Sequence, residues 1–212
     1  IRPKDLVPVA PAIAEPSTGE TMGQSAERMA KENGISRDDQ DAWALRSHQL
    51  AAAGTADGRL LAEIAPMYVP PDYTTVVTSD NGIRTDTSAE RLAGLRPVFD
   101  RAHGSVTAGN ASPLTDGASA VVLMNGEKAV AEGFAPLGWI RSWAWTALDP
   151  AGQLLQGPAY AAPIALDRAG LSMKDIGLME MHEAFAAQVL SNLQALSSRS
   201  FAESELGRTD AV

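Results

Sequence analysis

The 212-residue chain is 45% apolar and 20% charged, ordinary proportions for a globular protein able to bury a core. Its formal net charge of −9, with no basic stripe to offset it, argues against nucleic acid as a partner, although one arginine or one helix N-terminus suffices to bind a small anion. The absence of cysteine excludes disulfides, thiolate-bound zinc and a cysteine nucleophile within these residues, and no run approaches the ~20 apolar residues of a membrane-spanning helix.

Residues 1–20 carry Pro3, Pro8, Pro11 and Pro16 without helical period, so an extended surface segment is expected. They show no signal-peptide organisation, which suggests a cytoplasmic protein. The chain opens on Ile1 without a methionine and stops at Val212 without a finishing element, so we expect an internal fragment of a longer polypeptide.

"TMGQSAERMAKENG" places Met22, Ala26, Met29 and Ala30 on one helical stripe closed by Gly34. "ISRDDQDAWALRSHQLAAAGTADG" follows, with Ser36 as N-cap, Asp39 in a capping-box position and Gly58 as the stop. "YTTVVTSDNGIRTDTS" is a β-branched run followed by Asn81-Gly82, a hairpin or tight-turn signal. Ser88 opens a short helix that Pro97 ends, and "HGSVTAGNASPLTDGASA" is a loop of small residues. Beyond it "AVVLM" (120–124) reads as a buried strand, "NGEKAVAEG" as a short helix, "LGWIRSWAWTAL" as a long strand and "AAPIALDRAG" as a helix stopped by Gly170. "GLMEM" then gives a strand and "EAFAAQVLSNLQAL" a helix with Phe185, Val189, Leu193 and Leu196 on one face. Strand and helix alternate in this half, as in an α/β layered sheet, whereas the first hundred or so residues form a mainly helical lobe. Alternation puts Trp139, Trp143 and Trp145 on one strand face, which we expect to be sandwiched in the core.

Familiar catalytic signatures are missing: "HEAFA" has Ala186 where a zincin needs its second histidine, and there is no P-loop, G-x-S-x-G or G-x-G-x-x-G. His48 reads as a solvated helix residue and His103 as a loop residue, and neither forms a metal cluster with His182. Adjacent on a helix, Ser47 and His48 point in different directions and cannot act as nucleophile and base. His182 stands where an apolar strand turns into a helix, the edge at which α/β sheets gather ligands, and its imidazole can donate to a developing oxyanion. A capping or buried, satisfied histidine is the commoner occupant of such a corner, and Glu183 has a ready role in favouring the helix N-terminus. In the small-residue loop, Gly109 permits close approach of a ligand to the backbone, and Asn110 and Ser112 offer polar handles; a tight interdomain connection is an equal reading. Arg84 can clamp a phosphate, or be an ordinary surface arginine.

"TMGQSAERMAKENGISRDDQDAWALRSHQLAA", "NGIR", "LRPVF", "GSVTAGNASPLTDGASAVVLM" and "MEMHEAFAAQ" together resemble the thiolase family of acyl-CoA acetyltransferases, in family order and across essentially the whole chain. Histidine at 182, where most thiolases carry asparagine, resembles the subclass that forms the thiolase subunit of the fatty-acid β-oxidation trifunctional complex. The resemblance implies a layered αβαβα fold of similar halves, here incomplete, with a mainly helical loop domain inserted in the first. Residues 1–113 would be that loop domain, 114–136 the closing strand and helix of the N-terminal half, and 137–212 the opening of the C-terminal half. The implied reaction is cleavage of a 3-ketoacyl-CoA by coenzyme A through an acyl-cysteine, with coenzyme A as substrate and no other cofactor. His182 then matches an oxyanion-hole residue and Phe185 an aromatic lining the acyl pocket; Arg84, Phe99, Ala108 and Ser112 match coenzyme A contacts, and Met22 a loop-domain residue near the pantetheine tunnel. Thr21 stands where many thiolases have histidine, so no role passes to it. The family's nucleophilic cysteine precedes Ile1 in the pattern, and its Gly-His-Pro histidine and acid/base cysteine follow Val212, so the chain alone should be inactive. Homodimerisation, with an interface near the tryptophans, and assembly with a hydratase/dehydrogenase subunit are further implications. The alternatives are a biosynthetic acetoacetyl-CoA thiolase, against which His182 speaks, and a non-catalytic acyl-CoA- or lipid-binding relative.

Overall fold

The structure, a computed structural model, describes Arg2 and residues 13–212; most of the proline-spaced opening lies outside the described residues. The chain divides into two compact units. The first takes the described residues up to Pro113 together with Pro150–Leu155 and His182–Ser191, and the second takes Leu114–Asp149, Gln156–Met181 and Asn192–Val212.

In the first unit the tail of the opening segment is a turn rather than extended chain: Glu15 Oε2 accepts the Ser17 and Thr18 amides, and an Ala14–Thr21 bridge closes it. Helix α1 (Met22–Glu32) starts on a full capping box, Thr21 Oγ1 receiving the Gln24 amide while Gln24 Oε1 receives the Thr21 amide. Ala26, Met29 and Ala30 are buried on its inner face, and Gly34 beyond its end adopts a positive φ of 65°. Helix α2 (Arg37–Ala56) is capped by Ser36 as its sequence signals, with Asp38 and Asp39 in its first turn. Arg37 bonds Asp41 and reaches the Leu92 and Leu95 carbonyls, which ties α2 to helix α3 (Ala89–Ala93) and the turn after it. Ala26, Ala30, Val106 and Ala187 form the core, with Ile35, Phe99, Ala111, Leu155 and Phe185 packed against it.

The hairpin is not at Asn81-Gly82. Strands β1 (Met67–Tyr68) and β2 (Val76–Val77) pair in antiparallel fashion around the Pro70–Tyr73 turn. The valines are thus already paired with an upstream segment, and nothing after Gly82 alternates in a way that offers them a second partner.

The second unit contains helices α4 (Gly126–Ala131), α5 (Gly157–Ala169) and α7 (Arg199–Glu205), and it takes the last part of α6 (Ala186–Leu196). Gly170 ends α5 in the left-handed region, as its position in the sequence indicates. Ala159, Ala195 and Leu196 form a small core with Met173, Phe201 and Val212 around it. Helix α7 was not anticipated, although Ser198 caps it and Arg199 and Glu203 make an i,i+4 pair on it.

The expected buried strands of this unit are unpaired. Residues 120–124, 137–148 and 177–181 join no ladder, and Val122 and Leu178 are 88% and 85% exposed. Residues 141–149 still alternate strictly in burial, with Ser142 and Thr146 bonded to α5 carbonyls on one face. The odd-numbered face carries the tryptophans, and it is open instead of sandwiched: Trp145 is 85% exposed. A strand's pleat is local, but its ladder needs a neighbour, and none of the described residues supplies one. No helix among the described residues is long and apolar enough to cross a membrane.

Candidate functional site

The site lies in the first unit, where the small-residue loop meets the His182 corner. Ser112 N–H donates to the Ala184 carbonyl (2.8 Å) and Ala186 N–H to the Asn110 carbonyl (2.9 Å), an antiparallel bridge centred on Ala111 and Phe185. Ser112 and His182 are therefore on short segments bonded directly to each other. Both are exposed, and the His182 imidazole has no hydrogen-bond partner among the described residues. Phe185 points inward and meets Phe99 edge-to-face, ring centroids 6.2 Å apart. Gly23 fits beneath that ring, because a Cβ there would stand 1.9 Å from Phe99 Cζ; this brings Met22, its half-buried neighbour, to the same region.

The loop holds its shape through buried polar groups on two helices. Glu27 of α1 accepts the amides of Ser105 (2.7 Å) and Val106 (2.9 Å) and the Ser105 hydroxyl (3.0 Å). Gln40 of α2 donates to Ser105 Oγ at 2.9 Å. Asn110 is not a ligand handle: it is 3% exposed, accepts the Thr107 amide (2.7 Å), and donates to the Ser105 carbonyl (3.1 Å) and Asp41 Oδ1 (2.9 Å). These groups satisfy the backbone of a loop that has no ladder of its own. Gly109 packs closely, since Leu95 Cδ1 and Leu92 Cδ2 would stand 2.5 and 2.6 Å from a Cβ there and those leucine ends would have to move aside. Ala108 beside it is exposed at the tip of the loop.

Helix α2 also grips the corner and the arginine. Trp43 Nε1 and Ser47 Oγ donate to the two oxygens of Glu183, at 3.0 and 2.5 Å. Glu183 thus bonds a neighbouring helix instead of serving the helix that follows it. His48 is half-buried rather than solvated, and its Nδ1 accepts the Arg84 amide at 3.2 Å. The Arg84 guanidinium has no hydrogen-bond partner among the described residues. Nearby, the Arg91 hydrogen bond and, to a smaller extent, the Arg84 charge hold the Asp86 carboxyl below its ordinary range.

Ser112, Ala108, Phe99, Phe185 and His182 thus fall on one bonded set of segments, Met22 joins through Gly23 and Phe99, and Arg84 is tied in only by way of α2. Sequence reading missed Glu27, Gln40, Asp41, Trp43 and Ser47. The available signal was Glu27 standing beside Ala26 and Ala30 on the inward side of α1, where a polar side chain needs partners; Gln40 and Asp41 share a polar buried patch of α2 that carries no such signal.

The family model described as "Thiolase, N-terminal domain" matches residues 4–127, and "Thiolase, C-terminal domain" matches 134–204. A protein named 3-ketoacyl-CoA thiolase from Yersinia enterocolitica is 55% identical over 99% of this chain and 48% of its own length. The crystal structure of the Bacillus anthracis acetyl-CoA acetyltransferase superposes with a TM-score of 0.83 at 38% identity, over 88% of this chain and 47% of that one. Human mitochondrial 3-ketoacyl-CoA thiolase superposes with a TM-score of 0.80 at 35% identity, over 88% of this chain and 46% of its own. The chain spans about half the length of the curated relatives it matches.

Proposed function

Because this chain belongs to the thiolase family, we propose that it is the middle of a 3-ketoacyl-CoA thiolase, contributing the loop domain and the start of the second half. The observation that carries the site is the Ala111–Phe185 bridge, which sets an exposed imidazole, without a hydrogen-bond partner among the described residues, beside the small-residue loop and its exposed Ser112. The likeness to relatives named 3-ketoacyl-CoA thiolase supports the substrate class.

In the proposed reaction a cysteine elsewhere in the complete polypeptide attacks the 3-keto carbon, and the carbonyl oxygen becomes an oxyanion. Collapse breaks the C2–C3 bond, acetyl-CoA leaves after protonation of its enolate, and the shortened acyl group remains as a thioester on the cysteine. The thiol of coenzyme A then attacks that thioester and releases the shortened acyl-CoA. His182 donates an N–H to an oxyanion along this path. Ser112 and Ala108 contact coenzyme A, Arg84 pairs with one of its phosphates, and Met22, Phe99 and Phe185 line the way to the acyl chain. A homodimer, a hydratase/dehydrogenase partner and a cytoplasmic location belong to the same proposal, on the strength of the subclass likeness alone.

The test mixes the complete polypeptide that carries this chain with 3-ketoacyl-CoA substrates of increasing length and coenzyme A. Acetyl-CoA formation from the longer substrates is expected. Activity confined to acetoacetyl-CoA favours the biosynthetic reading, and no turnover at all overturns thiolysis. The 212 residues alone, lacking any cysteine, are expected to give none.

A further inference from the structure

The carboxylate next to His182, though exposed, accepts a hydrogen bond from helix α2 on each of its oxygens. Trp43 and Ser47 stand one helical turn apart, so both donors leave the same face of a rigid element and take one oxygen of Glu183 each. On the other side of the corner, the Ala184 carbonyl and Ala186 amide are bonded to the loop. The backbone just after His182 is thus clamped from two directions, while its ring has no hydrogen-bond partner among the described residues.

We infer that Glu183 is a positioning residue that aims His182 at the oxyanion, working through its paired bonds to Trp43 and Ser47; the inference rests on the thiolase reading above. A donor stabilises developing charge only where it is already aimed, and displacement of a reacting group by about 1 Å can cost on the order of 10²-fold in rate. The clamp has a second effect. An unrestrained carboxylate one residue from a developing oxyanion would oppose it, and two strong donors keep that charge turned toward α2. Asp41, on the same helix, accepts a hydrogen bond from Asn110 of the loop and holds that segment in turn. Helix α2 therefore braces both of the segments that the Ala111–Phe185 bridge joins.

The test uses steady-state thiolysis by the complete polypeptide carrying Glu183→Ala, Glu183→Gln, Trp43→Phe, Ser47→Ala and the Trp43→Phe/Ser47→Ala pair, each with a melting curve. Glu183→Ala is expected to lower kcat by roughly 10- to 100-fold while KM for coenzyme A stays within about threefold. Glu183→Gln keeps an acceptor for Trp43 and an amide that bonds Ser47, so it should restore kcat to within roughly fivefold of the parent. The Trp43/Ser47 pair should match Glu183→Ala, and combining all three should add little, as for groups acting as one unit. A kcat within about twofold of the parent for Glu183→Ala, full additivity, or a kcat loss that Gln fails to rescue overturns the proposal. Should Glu183→Ala fail to fold, the Trp43 and Ser47 variants decide alone: reduced kcat at unchanged KM supports it and unchanged kcat overturns it. No turnover by the unsubstituted enzyme is a separate result, which removes the thiolase reading itself.

Discussion

Asn110 Nδ2 donates to Asp41 Oδ1 at 2.9 Å, and this bond anchors the small-residue loop to helix α2. Asn110 also closes the loop on itself through Thr107 and Ser105, and its own carbonyl receives the Ala186 amide of the His182 segment. Replacement by alanine strands a buried carboxylate oxygen, an amide and a carbonyl, so Asn110→Ala should cost about 2–4 kcal/mol in urea unfolding. Asn110→Asp should be at least as damaging near neutral pH, because a second carboxylate then faces Asp41. That like charge raises the folded-state pKa, so the deficit should shrink as the pH is lowered through it.

Two glycines of the first unit should differ in what they disturb. A Cβ on Gly104 meets the Asp100 carbonyl at 2.3 Å and Glu27 Oε2 at 2.7 Å, and backbone cannot swing aside. Gly104→Ala should therefore lose about 1–3 kcal/mol by overpacking and loosen the Glu27 grip on the loop. At Gly23 the obstacle is a ring, Phe99, which packs on Phe185. Gly23→Ala should change the near-ultraviolet circular dichroism of the aromatic pair and raise KM for the acyl-CoA, which steady-state kinetics will show.

Acid should act on the α1–loop tie in a defined window. The Lys31 hydrogen bond, followed by the His103 amide, holds the Asp100 carboxyl down to about 2, below its ordinary 3.8. A folded pKa below the unfolded one means that the contribution is whole above 3.8 and is lost as the pH falls through about 2. Wild-type stability should thus fall more steeply than that of Asp100→Asn over this interval, and a pH series of denaturation midpoints checks it. Added salt should shrink the difference, since the pair is solvent-accessible.

The unpaired strand predicts a spectroscopic contrast. With Trp139, Trp143 and Trp145 between 61% and 85% exposed, the isolated chain should show red-shifted tryptophan emission readily quenched by iodide, and it should bind ANS. In the complete polypeptide the same tryptophans should be blue-shifted and protected.

Much of this was readable from residue order. The caps at Ser36 and Ser88, the stops at Gly58 and Gly170, and the inward stripe of α1 follow from local chemistry, and the structure places each where that chemistry puts it. The Trp139–Trp145 alternation was also local and held, but whether its face is covered depends on strands distant in sequence, which alternation cannot report. At the site, the loop and the His182 corner each carried a signal of their own. The clamp from Trp43 and Ser47 did not, because on a helix without a marked apolar face a hydrogen-bond donor looks the same whether it meets water or a carboxylate 136 positions away. Asn81-Gly82 misled for the opposite reason: a strong turn dipeptide does not name the strands it joins, and Val76 and Val77 paired upstream.

The most direct measurement is the steady-state rate of 3-ketoacyl-CoA thiolysis by the complete enzyme with His182→Ala. Loss of an aimed oxyanion donor should reduce kcat by roughly 10²- to 10³-fold, with KM for coenzyme A nearly unchanged and the fold intact by circular dichroism. A folded variant that turns over within about twofold of the parent contradicts the assignment of the strand–helix corner to the chemistry.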